Sequence, residues 1–398
     1  MLEQSAGGNE DEGSDDSRAV ERAERPLSVL GVDPELGFAG GETQVLGLTL
    51  ELLRAGHRAE LACDPRGALY ARASAMGVVC RPLAIRNAFD IPAALRLRAI
   101  LAQGRYDIVH FHTSRAHSMA PAVGGMARAT VVTRRMDYRP NRLFAPYLYN
   151  RAVDAVAAIS TPVAHALEAA GVSPDHLVII PSGVDCDRFR PPTPGERCAA
   201  RERFAIASEE FAIGTVGALE ERKGHRYLLE AIAALGAEPG MERVVCLVAG
   251  GGSLGSELAE VAEQRGISAR VRMLGQVEDS KPLLEALDLF VFPSLKEGLG
   301  VAMLEAMASG LAVIASASGG VIDAIEDGVS GVLVPPADAQ AIAGAIARLS
   351  RDEAVRRRIG AAARERARAR FSVAAMARRT IELYRACLEK NGVYGGRN

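Results

Sequence analysis

Short, almost wholly apolar runs alternate with longer stretches of helical periodicity along most of the chain. Runs that are apolar at nearly every position are typical of strands buried on both faces, as in parallel sheets. The alternation predicts an α/β fold whose strands are joined by helical crossovers. The predicted strands are residues 27–32, 58–62, 78–82, 107–112, 130–133, 155–160, 177–180, 212–216, 244–249, 270–274, 289–292, 312–315 and 332–334.

The alternation is interrupted once, by the segment CDRFRPPTPGERCAARERF at residues 186–204. Its prolines and its lack of a strand period predict an interdomain linker, which we place at residues 189–208. Two domains of similar size follow from this break, at residues 26–188 and 209–372. Residues 373–398 are expected to form a helix that packs back on the first domain. Parallel sheets bind ligands beyond the carboxyl ends of their strands, so two facing sheets would hold two substrates in a cleft.

Composition and charge narrow the choice of function. The chain has 398 residues, 48% of them hydrophobic, which is enough to bury a substantial core. Residues 1–25 contain eight acidic and three basic side chains and predict a disordered acidic tail. Subtracting the tail's net charge of −5 from the chain's net charge of −2 leaves the rest of the chain with a net charge of +3. A charge this small argues against a nucleic-acid-binding protein.

The cysteines and the apolar runs bear on cellular location. The six cysteines lie far apart in no metal-binding spacing, so they are expected to be reduced. No apolar run approaches the length of about 18 residues that a transmembrane helix needs. The acidic start does not resemble a secretion signal. A cytoplasmic protein is therefore expected.

The clearest chemical signal lies in the second domain, in PSLKEGLGVAMLEAMASG at residues 293–310. Gly298 and Gly300 precede a predicted helix, where glycine lets the backbone approach a ligand and free N–H groups bind anions. Glu297 lies in the loop that enters this helix, which is predicted at residues 301–309. Glu305 is eight positions further on and would lie roughly below that loop on a related face. A carboxylate in so apolar a helix needs a polar partner.

A second signal follows the strand that ends at Gly217. The loop ALEERKGH places Arg222 and Lys223 just beyond the carboxyl end of that strand. Two adjacent cations in such a loop suit a diphosphate, whereas the alternative is a solvated basic turn.

Together these segments resemble the retaining GT-B glycosyltransferases of family 4. The matching segments are the Glu297-x7-Glu305 region, GALEERKGHR (residues 217–226), GGVIDAIEDGVSGVLVPP (319–336), Gly40-Gly41-Glu42, and IIPSGVDCDRF (179–189). The resemblance extends from about residue 28 to residue 390. It implies two facing Rossmann-like parallel-sheet domains with an interdomain cleft and C-terminal helices. The first would bind the acceptor and the second a nucleotide-diphosphate sugar.

The resemblance also implies roles for the donor-site residues. Glu305 would accept hydrogen bonds from the ribose, and Glu297 would face the donor sugar beside the amides of Gly298, Leu299 and Gly300. Arg222 and Lys223, next to Gly217, would bind the diphosphate and neutralise its charge as it leaves. No metal and no cofactor would be required, and the configuration at the sugar carbon would be retained.

In the first domain, the resemblance points to the loops beyond two strands. His112 matches the family's sugar-contacting histidine and would join Glu297, Arg222 and Lys223 as a catalytic residue, whereas His110 on the same strand face is expected to be structural. Gly40 and Gly41 would lie beside the donor phosphates. Glu42 could instead cap the helix that follows.

Four residues with low-specificity signals form the candidate acceptor site: Arg134, Arg135, Tyr138 and Arg139. An arginine-rich loop at a cleft edge would receive an anionic glycan or lipid headgroup. It could also rest on an anionic membrane, or simply be solvated.

The sequence therefore predicts a glycosyltransferase that moves a hexose or N-acetylhexosamine, with UDP-sugar the first choice of donor, to a hydroxyl group. The acceptor would be a glycan or lipid-linked molecule of cell-envelope synthesis, at the cytoplasmic face of the membrane. The alternatives are a nucleotide-sugar epimerase on the same scaffold and a binding protein without catalysis. The donor sugar, the acceptor and the oligomeric state are not fixed by the sequence.

Overall fold

The computed structural model describes residues 25–136 and 140–393. The predicted acidic tail, apart from Arg25, and residues 394–398 lie outside this range. In the described part of the chain, strands and helices alternate as predicted and form two Rossmann-like halves. None of the described helices is both long and apolar enough to cross a membrane.

Each half contains one parallel sheet. The first has the strand order β3-β2-β1-β4-β5-β6-β7 and the second the order β10-β9-β8-β11-β12-β13. The predicted strand ends differ from the observed ones by about one or two residues. The strands are β1 (Ser28–Asp33), β2 (Arg58–Cys63), β3 (Val79–Pro82), β4 (Ile108–Phe111), β5 (Ala129–Arg134), β6 (Ala155–Ala158), β7 (Leu177–Ile179), β8 (Phe211–Val216), β9 (Val244–Ala249), β10 (Val271–Gly275), β11 (Leu289–Phe292), β12 (Val313–Ser316) and β13 (Val332–Val334).

Helices connect the strands and cover both faces of each sheet. They are α1 (Gly40–Arg54), α2 (Ala68–Ala75), α3 (Ile91–Gly104), α4 (Ser114–His117), α5 (Ala145–Arg151), α6 (Thr161–Glu168), α7 (Pro194–Arg203), α8 (His225–Ala234), α9 (Gly255–Gln264), α10 (Lys281–Ala286), α11 (Val301–Ala308), α12 (Val321–Ala324), α13 (Ala339–Arg351), α14 (Glu353–Phe371) and α15 (Val373–Lys390).

In the first half the strand order reverses between β1 and β4. Helices α1 and α2 therefore pack on one face of the sheet, while α3, α4 and α5 pack on the other. Such a reversal opens a crevice beyond the carboxyl ends of the strands on either side of it. The second sheet has the same reversal between β8 and β11.

The C-terminal helix α15 lies against the first half. Its buried side chains, among them Met376, Tyr384 and Leu388, pack with residues of β1, α1 and β5. At the crossing point, the amide of Val184 donates to the carbonyl of Phe371 at 2.7 Å. The last helices of the chain thus connect the two halves a second time.

The segment predicted as an interdomain linker contains the helix α7. Thr193 and Glu196 form a reciprocal capping box at its start, and Arg197 and Arg201 bind Asp288 at its side. The ion pairs join α7 to the end of α10 and the start of β11 in the second half. The sequence gives no apolar period here because charged contacts, rather than a buried face, hold the helix.

Candidate active site

Glycine-rich loops follow the strands of the second sheet at one edge. Gly217 follows β8, residues 250–252 follow β9, residues 298–300 follow β11, and residues 319–320 follow β12. Because all the strands are parallel, these loops gather at the carboxyl edge, which faces the first half.

Close backbone packing explains why glycine is needed in these loops. A Cβ atom on Gly319 would lie 1.9 Å from the carbonyl oxygen of Glu297, and one on Gly320 would lie 2.0 Å from that of Gly298. The amide of Gly320 also donates to the carbonyl of Glu297 at 3.0 Å. The loop after β12 therefore fixes the position of the loop that carries Glu297.

Glu297 forms an ion pair with Lys223, which comes from the loop after β8. Both side chains are largely buried, with exposed fractions of 12% and 13%. Ser294 Oγ also lies 3.4 Å from the same carboxylate oxygen, and Lys223 Nζ lies 5.4 Å from the centre of the Phe292 ring. The structure thus brings two predicted catalytic residues, 74 positions apart, into direct contact.

Arg222 occupies different surroundings from its neighbour Lys223. Its side chain is more exposed and pairs with Glu220 at 2.8 Å. Its carbonyl accepts from the amides of Leu295 and Lys296, which joins the loop after β8 to the loop after β11. Lys223 is therefore the cation of this pair that lies against Glu297, while Arg222 lies nearer the surface.

Glu297 lies in a loop, and the helix that carries Glu305 begins at the residue where the sequence predicted it. Helix α11 begins at Val301, after Gly300 has turned the backbone to a φ of 91°. Glu297 and Glu305 are therefore positioned by two different elements, the loop after β11 and helix α11. The amides of residues 298–300 donate no hydrogen bond to the described part of the chain, although the side chain of Leu299 is buried.

Glu305 lies in the second turn of α11, where its carboxylate accepts from Ser280 Oγ at 2.8 Å. Burial raises the pKa of this carboxyl to about 7, against the lowering effects of Ser280 and Arg188. The side chain is thus partly protonated near neutral pH and has only one partner in the described structure. Such a carboxyl is suited to bind hydroxyl groups of a ligand.

His112 lies just beyond β4 and is buried. Burial, with smaller contributions from His110 and Arg135, holds its pKa well below the usual value, so the ring is neutral. Its Nδ1 has no hydrogen-bond partner among the described residues. By contrast, both ring nitrogens of His110 are engaged, by Tyr384 Oη at 2.6 Å and Thr133 Oγ1 at 2.7 Å. His110 is held within the core, and His112 keeps a nitrogen for a ligand.

Gly40 and Gly41 form the first turn of α1, opposite the start of α11. A Cβ on Gly40 would lie 3.3 Å from Val301 Cγ2. Glu42 caps α1, as the alternative interpretation suggested, since its carboxylate accepts from the amide of Ala39 at 2.7 Å. The two helix N-termini thus approach each other across the cleft.

The four candidate acceptor residues do not share one environment in the structure. Arg134 is buried at the end of β5 and donates to Ser114 Oγ at 3.0 Å. Arg135 follows it, and desolvation lowers its pKa to about 10 although Asp33 and Glu42 favour the charged form. Tyr138 and Arg139 lie outside the described residues.

Asp33, at the carboxyl end of β1, was not among the predicted site residues. It is buried, and its Oδ2 has no hydrogen-bond partner among the described residues. Burial raises its pKa to about 7, while the amide of Glu35 acts in the opposite direction. Its sequence signal is a polar residue at the end of an apolar strand, seven positions before a Gly-Gly pair, and its burial in the structure is what distinguishes it from other such residues.

The two halves touch at one side of the cleft. A Cβ on Gly298 would lie 2.4 Å from the carbonyl oxygen of Arg135, and the amide of Thr161 donates to Asp323 Oδ2 at 2.6 Å. These contacts bring Glu297, Lys223 and the loop after β5 to one side of the cleft. No cluster of three or more potential metal-ligating His, Cys, Asp or Glu residues was found within residues 25–136 and 140–393.

Comparison with known families shows where this architecture belongs. Residues 196–366 match the family model for glycosyl transferases group 1, and residues 38–188 match that for glycosyltransferase family 4. The D-inositol 3-phosphate glycosyltransferase of Kribbella flavida is 30% identical over 329 residues, covering 75% of both chains. The chain belongs to glycosyltransferase family 4.

Other relatives and solved structures agree with this family assignment. The D-inositol 3-phosphate glycosyltransferase of Saccharomonospora viridis is 33% identical over 225 residues, which cover 54% of this chain and 51% of the relative. The match thus spans only about half the length of that relative. A glycosyltransferase structure from Rickettsia africae has a TM-score of 0.83 at 24% identity, covering 92% of this chain and 99% of that one. Anabaena HepE, solved with UDP and glucose, has a TM-score of 0.79 at 22% identity. The match covers 90% of this chain and 99% of HepE.

These similarities confirm the predicted family and its fold of two facing sheets. The family 4 match contains Gly40, His112 and Arg134, and the group 1 match contains Lys223 and Glu297. The candidate site therefore contains residues from both matched regions and lies between the two halves of this family 4 chain.

Proposed function

We propose that this chain is a retaining glycosyltransferase that transfers a hexose or N-acetylhexosamine from a UDP-sugar to a hydroxyl group. The observation that carries the proposal is the Lys223–Glu297 pair beside the amides of residues 298–300, which donate to none of the described residues. A buried cation and free amides at the start of a helix suit a diphosphate. The HepE structure contains UDP and glucose, which makes UDP-sugars the first donors to test.

In the free protein, Lys223 and Glu297 satisfy each other. On donor binding, Lys223 would turn to the diphosphate, and Glu297 would then accept hydrogen bonds from the sugar hydroxyls. Arg222, in the same turn, would add positive charge at the outer phosphate. Because the leaving group is already an anion, positive charge held in place lowers the barrier without proton transfer to it.

Retention follows from attack on the face that the nucleotide leaves. The bond between the anomeric carbon and the phosphate oxygen breaks as the acceptor oxygen bonds to the same face. The departing phosphate oxygen takes the acceptor's proton. His112, which is neutral and whose Nδ1 has no partner among the described residues, would orient a sugar or acceptor hydroxyl and would not act as an acid.

Acceptors carrying a phosphate are the first to examine. The two relatives named above are D-inositol 3-phosphate glycosyltransferases, and the partly buried Arg135, whose pKa is lowered by desolvation, lies beside the cleft. Lipid-linked and glycan acceptors of cell-envelope synthesis form the second group. Arg134 is already engaged by Ser114 and is a weaker candidate for contact with an acceptor.

The test is an acceptor screen with UDP-glucose and UDP-N-acetylglucosamine, with UDP release measured and the product linkage followed by proton NMR. We expect UDP and product to form in equal amounts, with the donor's anomeric configuration kept. Lys296→Ala, an exposed neighbour, serves as the control for Lys223→Ala. An inverted product would refute retention. Conversion between UDP-sugars without transfer would favour the epimerase, and binding without any turnover would favour the binding protein.

A further inference from the structure

Helix α3 is apolar on its outward side as well as on its inward side. Leu97 and Leu101 are buried in the core, but Ile91 and Leu95 are 70% and 62% exposed. Ala99 continues the exposed stripe at helical spacing, and the helix contains no carboxylate. A surface helix normally presents polar residues to water, so this outward stripe is typical of a binding face.

The start of helix α5 presents a second exposed apolar group. Leu143 is 85% exposed, Phe144 is 67% exposed, and Tyr147 is 57% exposed, one turn further along. Arg151 follows on the same side at the end of the helix. Large apolar side chains with an arginine beside them are the composition that membrane interfaces favour.

The two groups lie on the same face of the first sheet. The 3₁₀ turn Ala120–Val123 lies between the helices: Arg98 of α3 donates to the carbonyl of Ala122 at 2.7 Å, and Tyr147 lines a small cavity together with Pro121. The exposed residues Phe89, Ile91, Leu95, Leu143, Phe144 and Tyr147 are here called the α3–α5 surface.

This region is also strongly basic in a chain whose net charge is −2. Residues 84–152 contain eleven arginines, three aspartates, and neither lysine nor glutamate. Asp90 and Asp107 are buried: the first caps α3, and the second accepts from the amide of Ser28. The exposed charge of the region is therefore almost wholly positive.

We propose that the α3–α5 surface docks on an anionic lipid membrane. Apolar side chains that enter the interface and arginines that attract acidic headgroups are the two contributions that together give stable peripheral binding. Both helices begin after the carboxyl ends of their preceding strands, β3 and β5, at the edge of the sheet that borders the cleft. Docking would therefore bring the mouth of the cleft to the headgroups.

Vesicle flotation of the full chain tests this independently of any transfer activity. We expect binding to vesicles of phosphatidylcholine mixed with phosphatidylglycerol, much weaker binding to phosphatidylcholine alone, and a decrease at high salt. The double variant Leu143→Ser, Phe144→Ser should lower partitioning at least about tenfold. The control Ile322→Ser, Val329→Ser replaces two apolar residues of the second half that are 50% and 48% exposed, and it should bind like the wild type.

The second part of the vesicle experiment compares two double variants in which arginines are replaced by glutamates. Arg142→Glu with Arg151→Glu should reduce binding at least about tenfold, whereas Arg348→Glu with Arg378→Glu, also exposed, should not. No binding to acidic vesicles by folded wild-type protein would overturn the proposal, as would equal loss in test and control variants. If the wild type instead forms a dimer that the Leu143 and Phe144 changes dissociate, with no vesicle binding, the surface is a self-association face and the proposal fails.

Discussion

At the scale of single residues, the buried pair of Lys223 and Glu297 decides whether the cleft can hold a charged donor. Such a pair adds little to stability, because desolvation offsets much of the attraction. Removing one partner leaves an uncompensated buried charge. The pair is therefore better understood as two ligand-binding groups that satisfy each other until a donor separates them.

Lys223→Ala should lower kcat/KM for transfer about 10²- to 10³-fold, because it removes the cation that stabilises the leaving diphosphate. Steady-state kinetics with a saturating acceptor measures this. The exposed control Lys296→Ala should stay within about threefold of the wild type. A Lys223→Ala enzyme with unchanged kcat/KM would remove this residue from the mechanism.

Glu305 should make donor binding depend on pH. Its pKa is about 7 in the free protein, so a donor that prefers the ionised carboxylate must displace a proton below that pH. UDP affinity should rise from pH 6 to pH 8 in the wild type, and calorimetry in two buffers should show proton release. Glu305→Gln should bind UDP about 10- to 100-fold more weakly and lose the pH dependence.

Ionisation of Glu305 should also make folding stability depend on pH, and this contribution to stability should fall as the pH rises. A carboxyl whose pKa is raised on folding stabilises the native state below its unfolded pKa, and this contribution is lost as the pH rises through about 7. Glu305→Gln should therefore gain thermal stability relative to wild type at pH 8 but not at pH 4. Equal changes at both pH values would show that Glu305 is not desolvated.

Some site residues could be found from the sequence and others could not. Glu297, Lys223 and His112 stand out because each follows an apolar strand within a recognisable motif. The contacts between these residues could not be predicted from the sequence, because the Lys223–Glu297 pair joins loops that are 74 positions apart. Asp33 was missed because one aspartate after a strand is common, and only burial distinguishes it.

At the scale of elements, the glycine loop after β12 supports the catalytic loop. Gly319→Ala would place a Cβ against the carbonyl oxygen of Glu297 and displace that loop. We expect transfer activity to fall at least about tenfold, as a shift of about 1 Å in a site can cost even more. Gly328→Ala is the matched control, since Gly328 also has a positive φ but no atom near the added Cβ. Equal activity losses would attribute the effect to backbone strain alone.

Helix α15 joins the first half through a buried hydrogen bond. Tyr384→Phe would remove the partner of His110 Nδ1 and leave that nitrogen buried without a hydrogen bond. Urea unfolding should show a loss of about 1–3 kcal/mol in the free energy of unfolding. The partly exposed Tyr227→Phe should change it much less. A Tyr384→Phe protein of unchanged stability would show that this contact does not secure the helix.

The strands were more predictable from the sequence than the connecting segments. Strands buried on both faces must be apolar, which marks them without reference to their partners. Helix α7 has no apolar period because ion pairs to Asp288 hold it, and its prolines resemble a linker. Helix α11, by contrast, begins at Val301 as predicted, because Gly300 with its positive φ separates it from the preceding strand.

At the scale of the whole molecule, the site exists only where the two halves meet. The second half supplies Lys223, Glu297 and Glu305, and the first half supplies Gly40 and His112 opposite them. Contacts such as that between Thr161 and Asp323 keep the halves together on one side. A donor bound between them should stabilise both halves against unfolding.

A thermal-shift screen against UDP, GDP, ADP and their sugars, with EDTA present, tests this account most directly. We expect UDP and UDP-sugars to raise the melting temperature, since a ligand at 100 times its Kd stabilises by about 2.7 kcal/mol. The shift should disappear in Glu305→Ala and shrink in Lys223→Ala, while Lys296→Ala keeps it. A folded protein that none of these nucleotides stabilises, or a shift that survives in Glu305→Ala, would contradict the donor site described here.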